Sequence, residues 1–289
     1  MLEKRSSCKV NLLLNILGKR EDGYHEVETV MYPLRIYDRL TFEKSGVDIH
    51  LTCSDPLLPT DSRNLVYRTA ELFRQAAKVR DGIRIHLQKN IPLAAGLGGG
   101  SGNAATTLRG LNELYGQPLS VQQLNLIAAF LGSDVPFFLQ EHPALGTGRG
   151  EQIQPLDFFP TLRGTAFLLV HPGFGISTAW SYQQLARFPA ALNGTRGRAQ
   201  QLIQMLQGQT LREAGIGFYN SLEAPALEKY PLLALYQEFF RAEGAAATLM
   251  SGSGSTTFAV LESAPAAEQL REKFQAKFRP RSWTAVVAA

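Results

Sequence analysis

The run Pro92-Leu93-Ala94-Ala95-Gly96-Leu97-Gly98-Gly99-Gly100-Ser101-Gly102-Asn103-Ala104-Ala105 constrains this chain more than any other segment. A backbone almost bare of side chains bends into conformations closed to other residues, and here it passes directly into an alanine-rich helical stretch. The unpaired N–H groups of a helix's first turn, together with the helix dipole, favour an anion, so the segment reads as a phosphate cradle. It matches neither common nucleotide fingerprint. A Walker A loop ends in Gly-Lys-Ser/Thr, whereas Asn103 follows Gly102. The dinucleotide pattern fails because Ser101 stands where its third glycine belongs and no suitably spaced acid follows.

Around this loop the chain alternates strand and helix patterns. Val10, Leu12, Leu14 and Ile16 have the period-two spacing of a strand with one face in a core, which puts Lys9 and Asn11 together on the other face. Further strands are expected at 39–43, 47–52, 83–87, 166–170, 256–261 and 283–288. Helices are expected at 65–77 with Asn64 near the start, at 103–115, at 120–131 with Ser120 as cap, from 179 onward, and on both sides of Gly215-Ile216-Gly217. The segment 193–198 reads as an exposed loop. The resulting class is α+β, with domains at 1–155 and 156–289 and a boundary region near 152–164.

Composition narrows the function. With 289 residues, 45% hydrophobic and 19% charged, the chain has material for two packed cores. No stretch approaches the roughly 20 apolar residues of a membrane span, so a cytoplasmic protein without a membrane partner is expected. Cys8 and Cys53 alone make neither a disulfide framework nor a zinc site and read as buried free thiols. The net charge of +4 is carried by scattered Lys and Arg rather than a basic stripe, which argues against nucleic acid and suits anionic small molecules.

Three further features carry chemistry. Asp134 sits among apolar neighbours in Leu131-Gly132-Ser133-Asp134-Val135-Pro136-Phe137-Phe138, and it reads either as a turn residue or as a carboxylate able to accept a hydroxyl proton. Lys9 is either a solvated strand residue or the cation that accompanies such a base. Tyr24, His25 and Tyr182 lie in turn-flanked contexts and serve either for packing or for stacking a flat ligand.

The order of Lys9-Val10-Asn11-Leu12, Gly18-Lys19-Arg20-Glu21-Asp22-Gly23-Tyr24-His25, the glycine loop, Gly132-Ser133-Asp134-Val135-Pro136 and Ser251-Gly252-Ser253-Gly254-Ser255 resembles the GHMP kinase superfamily. Within it, Asp22-Gly23-Tyr24-His25 resembles the branch that acts on 4-diphosphocytidyl-2-C-methyl-D-erythritol in non-mevalonate isoprenoid precursor biosynthesis, and Asn220-Ser221-Leu222-Glu223 with Tyr230-Pro231 fits as well. The resemblance implies a two-domain fold, a ribosomal protein S5 domain 2-like domain followed by a ferredoxin-like one. It also implies phosphorylation of the substrate's 2-hydroxyl by ATP with Mg²⁺.

Carried over by position, Asp134 is the general base and Lys9 its partner, and Pro92, Leu93, Ala94, Ala95, Gly96, Leu97, Gly98, Gly99, Gly100, Ser101 and Gly102 wrap ATP, with Asn64 on the adenine side. Tyr24 and Tyr182 sandwich the cytosine and His25 reads its edge, while Asn11, Tyr32 and Thr178 contact the substrate. Magnesium ligands are not assigned; Ser101 and Glu151 are the candidates beside water. The alternatives are another small-molecule GHMP kinase, a non-catalytic nucleotide sensor, and an RNA-binding module. The family usually places two serines after the three glycines, where this chain has Ser101 and then Gly102. The expectation is a lost hydroxyl, a retained backbone donor, a looser helix start, and weaker ATP binding with activity kept.

Overall fold

The computed structural model describes residues 1–278 and 283–289. The chain forms two compact units, neither contiguous in sequence: Met1–Cys8, Ile36–Ile91 and Gly98–Glu141 make one, and Lys9–Arg35, Pro92–Leu97 and His142–Ala289 the other. Two long strands, β1 (Leu2–Lys19) and β2 (His25–Lys44), contribute residues to both. β1 departs from the one-faced strand expected: Lys9, Asn11, Leu13 and Asn15 are buried as fully as Val10, Leu12 and Ile16. β2 is far longer than the 39–43 segment its alternation suggested, because Pro33 interrupts the pattern without ending the strand.

The first unit adds β3 (Ile49–Cys53), α1 (Leu65–Ala77), β4 (Ile83–Gln88), α2 (Gly99–Leu114) and α3 (Val121–Leu131). β4 pairs antiparallel with the end of β2, Arg39 opposite Gln88, and parallel with β3, Ile49 opposite Ile83. Ile83, Ile85 and Leu87 face the core while Arg84 and His86 face outward, as the period of two requires. The Asn64 side chain caps α1 by accepting from Val66 N at 2.9 Å, and Ser120 with Gln123 closes a capping box at α3. α2 starts at Gly99, four residues before the expected start at Asn103. Glycine is a poor helix former, so propensity alone reads this turn as loop; close packing of its backbone overrides that preference.

The second unit holds β5 (Ala144–Thr147), β6 (Gln152–Pro155), β7 (Ala166–His171), α4 (Thr178–Gln184), α5 (Pro189–Leu192), α6 (Arg198–Gly208), α7 (Leu211–Gly215), β8 (Tyr219–Asn220), α8 (Glu223–Lys229), α9 (Pro231–Ala242), β9 (Ala247–Met250), β10 (Thr257–Leu261), α10 (Ala264–Phe278) and β11 (Trp283–Ala288). β5 pairs with β2 and with β6, and β8 lies parallel to β1, Leu13 opposite Tyr219. The second sheet runs β11-β7-β10-β9, antiparallel throughout. β7 is buried on both faces. Ala166, Leu168 and Val170 join Phe240 and Phe274 in one core, while Phe167 on the other face stacks on Tyr32 and meets Phe258.

Two loops differ from expectation. The segment after Gly215 enters the short strand β8 before helix resumes at Glu223. The 193–198 segment is tied down: Gly194 N donates to Ile16 O at 2.7 Å, Asn15 Nδ2 to Thr195 O at 2.8 Å, and Gly197 N to Glu28 Oε1 at 2.8 Å. Cys8 is buried, but Cys53 is only half-buried.

Candidate active site

Lys9 and Asn11 stand two residues apart on β1, so their side chains leave the same face. Both are nearly inaccessible, at 2% and 3% exposure, which removes the solvated-lysine reading. The Lys9 ammonium donates to Asn11 Oδ1 and, at 3.3 Å, to the carbonyl of Gly96. Asn11 Nδ2 donates to Thr29 Oγ1 at 2.8 Å, which in turn donates to the Leu13 carbonyl. An amide oriented this way must present its oxygen to the lysine.

The 92–97 part of the glycine loop is fixed from two sides. Lys9 N donates to Leu97 O at 3.0 Å, and Thr256 N to Ala95 O at 3.1 Å. Ser251 Oγ donates to Gly96 O at 2.9 Å, and it also accepts from Asn11 N at 3.3 Å. Gly96 has φ +76°, and a Cβ there would sit 2.0 Å from the Ser251 carbonyl, so only glycine permits this approach. The 251–255 loop is itself held by Asn220, whose Nδ2 donates to Met250 O and Gly252 O at 2.7 and 2.8 Å. Half-buried Glu223 accepts from Met250 N at 2.7 Å and from Gln237. Burial pushes its carboxyl above the ordinary range against those two hydrogen bonds and nearby Arg241.

Tyr24 is 52% exposed at the end of a tight turn. His25, next in sequence, lies 4.9 Å from the Tyr182 ring at a tilt of 38°. Burial, with Lys19 second, lowers the His25 pKa and favours the neutral imidazole, which offers one donor and one acceptor. Thr178 Oγ1 lies 2.9 Å from Ser253 Oγ. Tyr32 is 2% exposed and packed among Phe158, Phe159 and Phe167, where burial pushes its phenol up to about 12.

In the first unit, Gly98 at φ +69° caps α2, and the first intrahelical bond runs from Gly102 N to Gly98 O at 2.8 Å. The N–H groups of Gly99, Gly100 and Ser101 precede that bond and form the anion-favouring first turn. Gly102 is therefore not a backbone donor toward a phosphate. Nor is it merely a serine that was lost: a Cβ there would lie 2.7 Å from Ser7 O and 3.0 Å from Ser6 Oγ.

Asn64 is 7% exposed, with Oδ1 used as the α1 cap and Nδ2 donating to Pro59 O at 2.7 Å. Asp134 is half-buried in the turn after α3, beside buried Val135 and Phe137; the cap position of the following 3₁₀ turn is Val135, not Asp134.

Sequence reasoning missed the buried polar network at the first turns of α2. Asp38 accepts from Asn90 N at 2.7 Å and Ile91 N at 2.9 Å with one oxygen, and from Lys89 and Asn103 Nδ2 with the other. Asn103 Nδ2 also reaches Ser6 Oγ at 3.0 Å. The network grips both the exit of β4 and the first turns of α2. Among the described residues no helix is long and apolar enough to cross a membrane, and no group of three or more His, Cys, Asp or Glu is placed to hold a metal ion. Glu151, a candidate magnesium ligand by sequence, has its carboxylate on Arg149.

Comparison with known proteins identifies the family. Residues 64–142 match the model of the GHMP kinases N terminal domain, and residues 189–280 that of the GHMP kinases C terminal domain. The chain is 40% identical over 279 residues to a 4-diphosphocytidyl-2-C-methyl-D-erythritol kinase of Synechococcus sp., covering 94% of this chain and 89% of the relative. It is 38% identical to the enzyme of the same name from Syntrophotalea carbinolica, covering 93% of each. A crystal structure of 4-(cytidine 5'-diphospho)-2C-methyl-D-erythritol kinase superposes with a TM-score of 0.82 at 34% identity over the whole of both chains. The α+β, two-domain chain belongs to the 4-diphosphocytidyl-2-C-methyl-D-erythritol kinase family of GHMP kinases, small-molecule kinases that transfer phosphate to an alcohol.

Proposed function

We propose that this chain is a cytoplasmic enzyme that transfers the γ-phosphoryl group of ATP to the 2-hydroxyl of 4-diphosphocytidyl-2-C-methyl-D-erythritol, a step of non-mevalonate isoprenoid precursor synthesis. The observation that carries the reading is the buried Lys9 ammonium, fixed by Asn11 and the Gly96 carbonyl on the glycine loop. Burying a cation is costly unless it is paired and hydrogen-bonded, and this one is held in place against the glycine loop. Asp134 takes the proton of the 2-hydroxyl as its oxygen bonds to the γ-phosphorus and the bond to the ADP oxygen breaks. Lys9 balances the charge at the acceptor oxygen.

The loop 92–98 and the N–H groups of Gly99, Gly100 and Ser101 would hold the ATP phosphates, with Asn64 shaping the adenine side through its cap rather than through a free amide. Mg²⁺, when bound, would neutralise phosphate charge; with Glu151 engaged by Arg149, the phosphates, water and Ser101 remain its candidate ligands. Tyr24 and Tyr182 stack on the cytosine and neutral His25 reads its edge. Asn11 and Thr178 contact the polyol, while Tyr32 shapes the site from within its aromatic cluster.

The test is incubation with ATP, Mg²⁺ and the cytidyl, homoserine and mevalonate substrates in parallel, with the product identified by mass. Only the cytidyl substrate should gain a phosphate. Asp134→Asn should lose about 10²- to 10⁴-fold in turnover while still binding ATP; full turnover in that variant would remove Asp134 as the base.

A further inference from the structure

Arg149 stands at the tip of the β5–β6 hairpin, outside every role assigned so far. Its guanidinium carbon lies 4.6 Å from the centroid of the Tyr24 ring, which is cation–π geometry. Both partners are held in place. The hairpin tip turns through Gly150 N to Thr147 O at 3.0 Å and is pinned to β2 by Val27 N to Gly148 O at 2.8 Å. Glu151 accepts from Arg149 N at 2.7 Å and faces its Nε at 3.7 Å. Opposite, Tyr24 is fixed by Arg20 N to Tyr24 O at 2.8 Å and by its own N–H to Asp22 Oδ1 at 3.1 Å. Arg20 is anchored in turn on Glu26 at 2.7 Å.

We propose that Arg149 is a positioning residue for base binding: it covers one face of Tyr24 and so leaves a single, fixed face for the cytosine. This rests on the reading above that Tyr24 stacks on the base. An exposed tyrosine without such a backing samples several rotamers and loses side-chain freedom on binding. The guanidinium removes that cost beforehand, and its flat face, with the Glu151 carboxylate 3.7 Å from Nε, covers a ring better than a compact ammonium.

The experiment compares the parent with Arg149→Met and Arg149→Lys, using kinetics with both substrates and calorimetric binding of cytidine and of CDP. The expected result is a KM for the cytidyl substrate about tenfold higher in Arg149→Met, with kcat and the KM for ATP within about twofold, and partial recovery in Arg149→Lys. Cytidine and CDP should weaken by the same factor, because the action is on the stacked ring. A loss confined to CDP would assign Arg149 to the diphosphate and overturn the proposal. Equal damage to both KM values, or none, would do the same. A parent that binds neither cytidine nor CDP removes the base site itself, and this inference with it. A parent that binds both as well as Arg149→Met does removes the inference alone.

Discussion

Two glycines two positions apart on the first turns of α2 should respond to alanine with opposite signs. At Gly100 the nearest atom to an added Cβ is Leu65 Cδ1 at 3.7 Å, an ordinary contact, and the backbone is helical. Gly100→Ala therefore gains most of the helix-propensity difference, about 0.5–1 kcal/mol. At Gly102 the same Cβ meets the Ser7 carbonyl at 2.7 Å and Ser6 Oγ at 3.0 Å, with Phe138 at 3.5 Å behind them. A main-chain carbonyl of β1 cannot swing aside as a side chain can, so the strand or the helix must shift. Overpacking of this kind costs roughly 1–3 kcal/mol. After the propensity gain is subtracted, Gly102→Ala should lose about 1–2 kcal/mol, a fall on the order of 4 °C in melting temperature.

Gly102→Ser meets the same obstruction with a smaller propensity gain, and it should not lower the KM for ATP, since the Cβ that would carry its hydroxyl is directed at Ser7 O and Ser6 Oγ. Thermal and urea melts of the three variants decide the matter. Gly102→Ala as stable as Gly100→Ala would refute the packing argument, and a tighter ATP KM in Gly102→Ser would restore the lost-hydroxyl view.

The buried ion pair and the Glu223 carboxyl make two more tests. Asp38→Ala strands the Lys89 ammonium, 5% exposed, and orphans the Asn90 and Ile91 N–H groups, so a loss of about 3–5 kcal/mol is expected in urea unfolding; a loss under 1 kcal/mol would mean the network relaxes. Glu223, with its folded pKa raised mainly by burial, contributes stability below its unfolded value near 4.5 that is lost as pH rises through the folded pKa. Glu223→Gln keeps an oxygen for Met250 N and escapes that loss, so its stability relative to the parent should climb as pH rises above the unfolded value near 4.5 and through the folded pKa, and a pH-independent difference would contradict the assignment.

What could be read from the chain before its fold was known depended on whether a residue's meaning is local. The helix that starts beside Asn64, the Ser120 cap, the alternation of Ile83, Ile85 and Leu87, and β11 at Trp283–Ala288 all follow from short-range rules, and the structure bears them out. Position 102 misled because glycine reports freedom equally whether a ligand or a neighbouring strand approaches it; only the Ser7 carbonyl distinguishes the two. Charged residues mislead in the other direction. Asp38, Lys89 and Arg149 each look like ordinary solvated side chains in sequence, and single-residue odds favour that reading.

Their roles appear only once strand pairing sets distant residues side by side: Arg39 opposite Gln88 brings Asp38 to Lys89, and Thr29 opposite Gly146 carries the hairpin tip to Tyr24. Long-range register is the least local quantity in the fold, and it depends on which faces are buried over many residues at once. β1 hid this information most fully. With both faces buried, its Lys9 face carries none of the exposed–buried contrast that separates a solvated lysine from a buried one, and only the fold shows the ammonium held by Asn11 and the Gly96 carbonyl.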